Sequence, residues 1–395
     1  MRKNNTNRIF LYGLTTALAI CLVWPHMIRA AGSWPIVESG IEYVHRRIGD
    51  VPWSMHVVKI QRSEDRFRVI SRLAHDSIPG LASVREQLSR VSPEAGRPIV
   101  AVNGDFFQIR PGLYQGDPTG LHITEGRLMS APIGDSFWID PQGRPHIGPV
   151  RSRFRAKSDN GLDIAFGLNQ ERNDSMAVLY TPVIGRSTRT TGGIELVLQP
   201  TAASQWLPLR PGVQYSAQVA EISAAGDSAV RPQTMVLSIS PKLAERVPPP
   251  GVGATISLSL ATSPDLTGVK TAIGGGPVLV RDGKPVGWTS RPIRHPRTAV
   301  GFDDQHLYLF VVDGRQEGLS AGMDYPEMAE MLIALGCQQA MNLDGGGSST
   351  LWLGGQVVNS PSDGRERRVA NSLIVVAHED GKLRKGLSDK NVTGN

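Results

Sequence analysis

Asp344 opens the run Asp344-Gly345-Gly346-Gly347-Ser348-Ser349-Thr350. A carboxylate followed by three glycines and three hydroxyl residues is a dense local grouping of polar chemistry. Glycine lets a backbone approach a ligand closely, and consecutive N–H groups can form a concave nest for an anion. The hydroxyls of Ser348, Ser349 and Thr350 would add donors, and Gly274-Gly275-Gly276 could form a second such wall. The plain alternative is a flexible turn. Neither run is a nucleotide-phosphate loop, because no Gly-Lys-Ser/Thr follows at the required spacing.

Two further groups have the same layout. Asn103-Gly104-Asp105 follows the apolar run Ile99–Val102, and Asp313-Gly314-Arg315 follows Leu307–Val312. Asp344 itself follows Ala340–Leu343, and Gly274 follows Lys270–Ile273. Four strands therefore end on polar residues, and converging strand ends would hold those residues rigidly in one pocket. Taken singly, an Asp or Asn beside Gly after a strand is usually a turn. Arg297, Arg315, Arg365, Arg367 and Arg368 are candidates for gripping a phosphate, since the guanidinium fork matches its oxygens in pairs. Arg297 is the least ordinary of them, because it opens a strand beside Thr298; most of the others read equally well as solvated loop residues.

Several chemistries are missing. There is no Gly-x-Ser-x-Gly elbow and no His-Glu-x-x-His, and the nine histidines are scattered without metal-ligand spacing. His295, two residues before Arg297, is the only histidine near the candidate groups. No cofactor is expected, although the aspartates and backbone carbonyls could accept a structural calcium ion.

The elements that must position these groups are short. Ser54–Ile60 and Phe67–Ile70 read as a hairpin, Leu81–Val91 as a helix, and Thr298–Phe302 with Leu307–Val312 as paired strands. A second helix is well specified: Asp324 caps it, Glu327 completes the capping box, Pro326 sits in its first turn and Gly336 ends it. Residues 110–150 look loop-rich, and residues 151–262 read as a set of strands with little chemistry. Thr350–Leu353 and Gln356–Val358 form a hairpin, and Val369–Ala377 supplies a closing strand. The expected fold class is α+β, a mixed, strand-rich single catalytic domain with few helices and a β-rich inserted segment at 151–262.

The first thirty residues carry an export signature. Arg2, Lys3 and Arg8 precede the uncharged stretch Ile9–Trp24, and Ile28-Arg29-Ala30 offers a cleavage site. An uncleaved anchor is the alternative. Cleavage would remove four basic residues and no acid, lowering the formal charge from +6 to +2. The expected organisation is a signal at 1–30, the domain at 31–378 and a polar tail at 379–395. No Lys/Arg run is dense enough for nucleic acid. Cys337 would be the single remaining cysteine, so no internal disulfide is expected.

Arg297-Thr298-Ala299-Val300-Gly301, Val311-Val312-Asp313-Gly314-Arg315, Met341–Thr350, Asn359-Ser360-Pro361-Ser362-Asp363-Gly364 and Arg368-Val369-Ala370-Asn371 together resemble the phosphodiester glycosidase family. Val102-Asn103-Gly104-Asp105-Phe106-Phe107 resembles its Asn-Gly-Gly-Phe-Phe signature, with Asp105 where the family more often carries Gly or Ala. The likeness covers about residues 95–130 and 270–378. It implies a mixed α+β domain, hydrolysis of a sugar-1-phosphodiester of the N-acetylglucosamine type, a role in envelope or exopolysaccharide metabolism, and an exported location, periplasmic or extracellular.

Carried onto this sequence, the resemblance makes Asp344 the first choice for the carboxylate that supports an oxocarbenium-like sugar, and Asp313 the second. Arg297 would stabilise the leaving phosphate and Asn103 would bond the substrate. Asp105, Gly275, Gly276, Thr298, Gly314, Arg315, Asn342, Gly345, Gly346, Gly347, Ser348, Ser349, Thr350, Arg368 and Asn371 would line the substrate site. The expected partner is a sugar-phosphate or polysaccharide, with no nucleic acid and no stable membrane insertion after cleavage. Two other readings remain: a non-catalytic glycan-binding or assembly protein of the envelope, and an ester or amide hydrolase using Ser348 or Ser349.

Overall fold

The computed structural model describes residues 36–49, 52–201, 206–247, 249–287 and 293–378. The expected signal and the expected tail lie outside these residues.

Among the described residues, an eight-stranded antiparallel sheet forms the centre. Its order is Ile36–Glu38, Ile41–Ile48, Trp53–Gln61, His306–Val312, Arg297–Phe302, Gln339–Asn342, Val278–Arg281 and Lys284–Pro285. Successive residues of a strand face opposite sides, and the sequence uses both. Phe310 and Val312, with Ala299 and Leu279, pack under the helix Tyr325–Leu335 through Met328, Met331 and Leu332. Leu309, Val311, Val300 and Met341 pack on the other side against Val100, Val102, Leu373 and Val375. Those four belong to a second sheet, ordered Gln356–Val357, Leu351–Leu353, Arg97–Asn103, Asn371–Ala377 and Phe67–Leu73. The central strands are buried on both faces, which is why they read as continuous apolar runs.

The helix has the expected ends. Glu327 N–H donates to the Asp324 carboxylate at 2.9 Å, Asp324 N–H donates back to Glu327 at 3.0 Å, and Gly336 closes it at φ 107°. The other expected helix is shorter than its apolar spacing suggested. It covers Val84–Leu88, because Ser83 makes a capping box with Glu86 and so fixes the start three residues after Leu81.

Residues 110–150 depart from the loop-rich expectation. They contain the strands His122–Thr124, Arg127–Ser130, Asp135–Ile139 and Pro145–Pro149, which pair around Thr271–Gly274 in a third sheet. These strands are only three to five residues long, too short to show a period between their turns.

Seven strands between Arg155 and Ser259 close into a barrel. The burial of Asp163–Leu168 alternates residue by residue, with Ile164, Phe166 and Leu168 pointing into the barrel core beside Leu196, Leu237 and Leu258. One strand, Ala177–Tyr180, is buried throughout. Its outward residues Val178 and Tyr180 pack on Leu73, Ile78 and Tyr114, so this side docks the barrel on the rest. The barrel joins the chain through a two-stranded neck in which Arg151 pairs with Ser263 and Ser152 with Thr262. The whole is thus strand-rich with a closed barrel, and helices are few.

Phe310 is fully buried between sheet and helix. Phe310→Ala should destabilise the fold by about 3–5 kcal/mol, read from the midpoint of guanidinium unfolding; a loss below about 1 kcal/mol would mean that the helix is not seated on this face.

Candidate active site

Antiparallel pairing brings the site together. Arg297 begins its strand opposite Val312, and Ala299 lies opposite Asn342. The start of one strand therefore meets the ends of its two neighbours, and Arg297, Asp313 and Asp344 gather at one edge. From the second sheet, Leu351 pairs with Val102, which delivers Asn103 and Asp105 to the same edge. Gly274 arrives from the third sheet.

Asn103 joins these ends. Its amide nitrogen donates to the Asp344 carbonyl at 2.6 Å, while its amide oxygen accepts the Thr298 hydroxyl at 2.8 Å and the Thr350 N–H at 3.1 Å. Asn103 and Thr298 are fully buried. Both side chains position the framework, so the expectation that Asn103 bonds the substrate directly does not match its protein contacts. Asn371 works similarly: its side-chain oxygen accepts the Asp105 N–H at 2.8 Å.

Asp344 is the partly exposed carboxylate of the group. Burial raises its proton affinity, and the Ser348 hydroxyl, the Gly345 N–H, Arg367 and Arg297 act in the opposite direction. Asp313 has a different setting. Ser54 donates to it at 2.8 Å and His56 lies at 3.1 Å on one oxygen; the Asn359 amide at 3.2 Å and the Ser360 N–H at 2.8 Å occupy the other. Burial opposes its charge, but these bonds and His56 outweigh burial and hold its carboxyl below the usual range. Asp313 is 1% exposed and bonded on both oxygens, an anchor for the 359–360 loop more than a reacting group. Sequence reading did not single out His56 or Ser54, which lie far upstream on a central strand with no motif around them.

The glycine run does not form the expected nest. The N–H groups of Gly345, Gly346, Ser348 and Ser349 donate to Asp344, Pro296, Gly345 and Gly346. Those of Gly274, Gly275 and Gly276 donate to Leu121, Asp135 and Asn342. The runs are glycine because other groups press against them. A Cβ on Gly274 would run into the Asp105 carboxylate, and one on Gly275 would lie 2.8 Å from the Asn342 carbonyl. Asn342 donates its side-chain amide to the Gly276 carbonyl at 2.8 Å, and its amide oxygen is buried without a partner among the described residues. Gly314 is packed on Pro296 and Gly322. Ser349 and Thr350 are buried, and their hydroxyls have no partner among the described residues.

Three arginines lie one against each glycine of the run. The Arg297 side chain passes Gly345, the Arg315 guanidinium covers Gly346 at 3.1 Å from where a Cβ would stand, and Arg367 fills the space over Gly347. Arg297 is held over the Tyr325 ring at 4.3 Å and donates to the Met323 carbonyl at 3.1 Å. Arg315 donates to His295 at 3.2 Å, and burial, followed by the charges of Arg315 and Arg297, lowers the proton affinity of that histidine. Arg367 is braced by Asp363 at 2.8 Å and reaches Ser348 at 3.4 Å. Arg368 is a correction to the sequence reading. It is exposed and faces Glu86 at 3.8 Å, because neighbouring residues on an extended segment point to opposite sides. Sequence alone could not choose among the arginines of 365–368.

Asp105 stands just behind Asp344. It is 2% exposed and accepts the Phe106 N–H at 2.8 Å and the Gly120 N–H at 2.6 Å. Burial pushes its carboxyl up to about 7, with the Asp344 charge adding to the effect. Beyond it lies a cavity of about 300 Å³ lined by residues that include Phe107, Asp117, Ser130, Ile133 and Glu171. Among the described residues no group of three or more His, Cys, Asp or Glu is placed to hold a metal ion.

Asp344 thus ends its strand beside the side chains of Arg297, Arg315 and Arg367. Residues 222–376 match the model of the phosphodiester glycosidase family. The match begins inside the barrel, upstream of the motifs visible in the sequence. The chain is 43% identical over 91 residues to N-acetylglucosamine-1-phosphodiester alpha-N-acetylglucosaminidase of Bos taurus, covering 21% of this chain and 16% of that protein. It is 35% identical over 119 residues to a prophage-derived protein of Bacillus subtilis, covering 29% and 18%. Each match thus spans less than a fifth of the relative's length. A crystal structure of a protein from Synechocystis shares the fold, with a TM-score of 0.67 and 21% identity over 86% of this chain and 62% of that one.

Asn103→Ala would leave the Thr350 N–H and the Asp344 carbonyl without their partner in a buried setting. Each such group costs about 1–3 kcal/mol, so the unfolding midpoint should fall clearly; an unchanged midpoint would show that the strand ends do not depend on this amide.

Proposed function

We propose that the chain is an exported hydrolase that cleaves the anomeric C–O bond of a sugar-1-phosphodiester, of the N-acetylglucosamine type, in envelope or extracellular polysaccharide metabolism. The observation that carries this reading is the Asp344 carboxylate with Arg297, Arg315 and Arg367 gathered along Gly345-Gly346-Gly347. The leaving group of such a reaction is a phosphate monoester, far more acidic than an alcohol. It needs positive charge more than a full proton, and guanidinium groups supply it. The sugar passes through an oxocarbenium-like state that a carboxylate stabilises, and Asp344 takes that part, as nucleophile, base or electrostatic partner. Water adds to C1 and the bond to the phosphate oxygen breaks, giving free sugar and a phosphomonoester, with one proton released as the monoester ionises.

The remaining residues support this core. Asn103, Thr298 and Asn371 hold the strand ends, and Asn342 ties its strand to the Gly276 carbonyl. Asp313 anchors the 359–360 loop. No resident cofactor is invoked. A serine-nucleophile reading has little support, since among the described residues no histidine bonds to Ser348 or Ser349. We read residues 151–262 as an insertion into an α+β catalytic domain, and residues 1–30 as the export signal. Among the described residues no helix is long and apolar enough to cross a membrane.

Purified protein should release free sugar from at least one member of a panel of sugar-1-phosphodiesters. Asp344→Asn should lower the rate at least about a hundredfold without changing the melting temperature. A folded protein inactive on the whole panel would favour a glycan-binding role. Arg367→Ala should raise KM for the substrate, whereas Arg368→Ala should leave it near the wild-type value; equal effects would remove Arg367 from the cradle.

A further inference from the structure

The cavity of about 300 Å³ beyond Asp105 is walled from two sides. Phe107, Asp117 and Ser130 form one wall; Gln170 and Glu171, which follow the barrel strand Asp163–Leu168, form the other. Buried polar contacts fix the barrel loop in this place. Asn169 is fully buried at φ 52°, a left-handed conformation that a residue with a side chain keeps only when its surroundings hold it. Its amide nitrogen donates to the Met129 carbonyl at 2.9 Å, and its amide oxygen accepts the Thr181 N–H at 2.8 Å. The Tyr180 hydroxyl donates to the Gln170 carbonyl at 2.9 Å and lies 3.2 Å from the Tyr114 hydroxyl, which donates to the Thr188 carbonyl at 2.8 Å. Buried groups bonded in this way specify one geometry, so Gln170 and Glu171 are held at the cavity.

The same cavity is joined to the Asp344 loop by three hydrogen bonds. The Ser130 hydroxyl donates to the Gly120 carbonyl at 2.9 Å, the Gly120 N–H donates to the Asp105 carboxylate at 2.6 Å, and the Asp344 N–H donates to the Gly104 carbonyl at 2.9 Å. The lining mixes donors and acceptors: the hydroxyls of Thr119 and Ser130, the amide of Gln170 and the carboxyls of Asp117 and Glu171. Phe107 and Ile133 add apolar faces, and none of the lining residues is a lysine or arginine. Asp117 Oδ1 is buried and has no partner among the described residues. A buried acceptor left unmade is costly, and a ligand hydroxyl in the cavity would complete it. Burial, followed by the charges of Glu171 and Asp105, pushes the Asp117 carboxyl up to about 8, so near neutral pH it can donate as well as accept.

We propose that this cavity is the subsite for the sugar ring of the substrate, and that Asp117 and the barrel residue Glu171 select rings that carry hydroxyls and no negative charge. A hydroxyl is donor and acceptor at once, so a lining that offers both suits a polyol; a simple cation would leave the donors unused. The volume stands at the lower end of the range for ligand sites, about 300–1,000 Å³, which suits one ring and not a chain. A uronate would bring its carboxylate against the acidic side chains with no basic residue in the lining to compensate it. The ring then lies toward the barrel and the phosphate toward the arginines, with the anomeric carbon between them at Asp344. The barrel is therefore part of substrate recognition. The inference rests on the proposed reaction for that placement of the anomeric carbon, but not for the binding of the ring itself.

Ring binding is tested without turnover. Full-length protein is titrated with N-acetylglucosamine and with glucuronate at millimolar concentration, and binding is followed by saturation-transfer NMR. N-acetylglucosamine should bind and glucuronate should bind much more weakly. Asp117→Ala should weaken N-acetylglucosamine by about fivefold or more at an unchanged melting temperature, and Glu171→Lys, on an exposed residue, should narrow or reverse the preference against glucuronate. If Asp117→Ala proves unstable, Glu171→Lys decides alone. No binding of N-acetylglucosamine, equal binding of the two sugars, or wild-type behaviour in both variants overturns the subsite. With a turned-over sugar-1-phosphodiester, Asp117→Ala should raise KM while kcat changes little. Turnover with KM unchanged in both variants overturns the subsite and leaves the reaction standing. A protein inactive on the whole panel that still binds N-acetylglucosamine, and loses it in Asp117→Ala, would sink the proposed reaction and leave the subsite standing.

Discussion

The Asn103 side chain is the tie on which the site depends. One amide reaches the carbonyl of Asp344, a hydroxyl on the central sheet and an N–H just past the glycine run. These three groups come from separate strands that would otherwise end independently. Buried amides of this kind are bonded on both ends or they are destabilising. The geometry of the Asp344 loop is thus coupled to the packing of two sheets, and any change that shifts one sheet against the other reaches the carboxylate.

Glycine has an unusual meaning at this edge. After Asp344, the Pro296 carbonyl presses on Gly345, the Arg315 guanidinium lies over Gly346, and Arg367 with the Asp363 carboxylate fills the space over Gly347; after Ile273, a carboxylate and a neighbouring strand press on Gly274 and Gly275. The backbone donors of Gly345, Gly346 and all three glycines after Ile273 are committed to the protein. Charge at this edge is carried by side chains of both signs, Arg315 and Arg367 beside Asp344 and Asp363.

Much of this was legible in the sequence, for identifiable reasons. The helix beginning at Tyr325 carried its own start and stop signals, and the apolar runs before Asn103, Asp313 and Asp344 showed where strands would end. The resemblance of the motifs named the family. What could not be read was relational. Arg367 and Arg368 have the same side chain and adjacent numbers, and only the path of the backbone decides which faces Asp344 and which faces Glu86. Ser54 and His56 bond Asp313 from far upstream with no local pattern to announce them. The short strands of 122–149 were invisible because they hold too few residues to show alternation. Asp105 looked like one more turn residue until its neighbours were known.

The two-stranded neck at Arg151–Ser152 and Thr262–Ser263 makes the barrel, from the viewpoint of the remaining chain, a very long hairpin loop. Residues 153–261 leave and return at adjacent positions, so the ends they present to the rest of the protein are spaced as in a tight turn. The entropy of joining two such ends grows only slowly with what lies between them, and a closed barrel brings its own core and no free edge. The neck is therefore a natural splice point. At that place the register of the barrel and that of the polar edge beyond it are set independently.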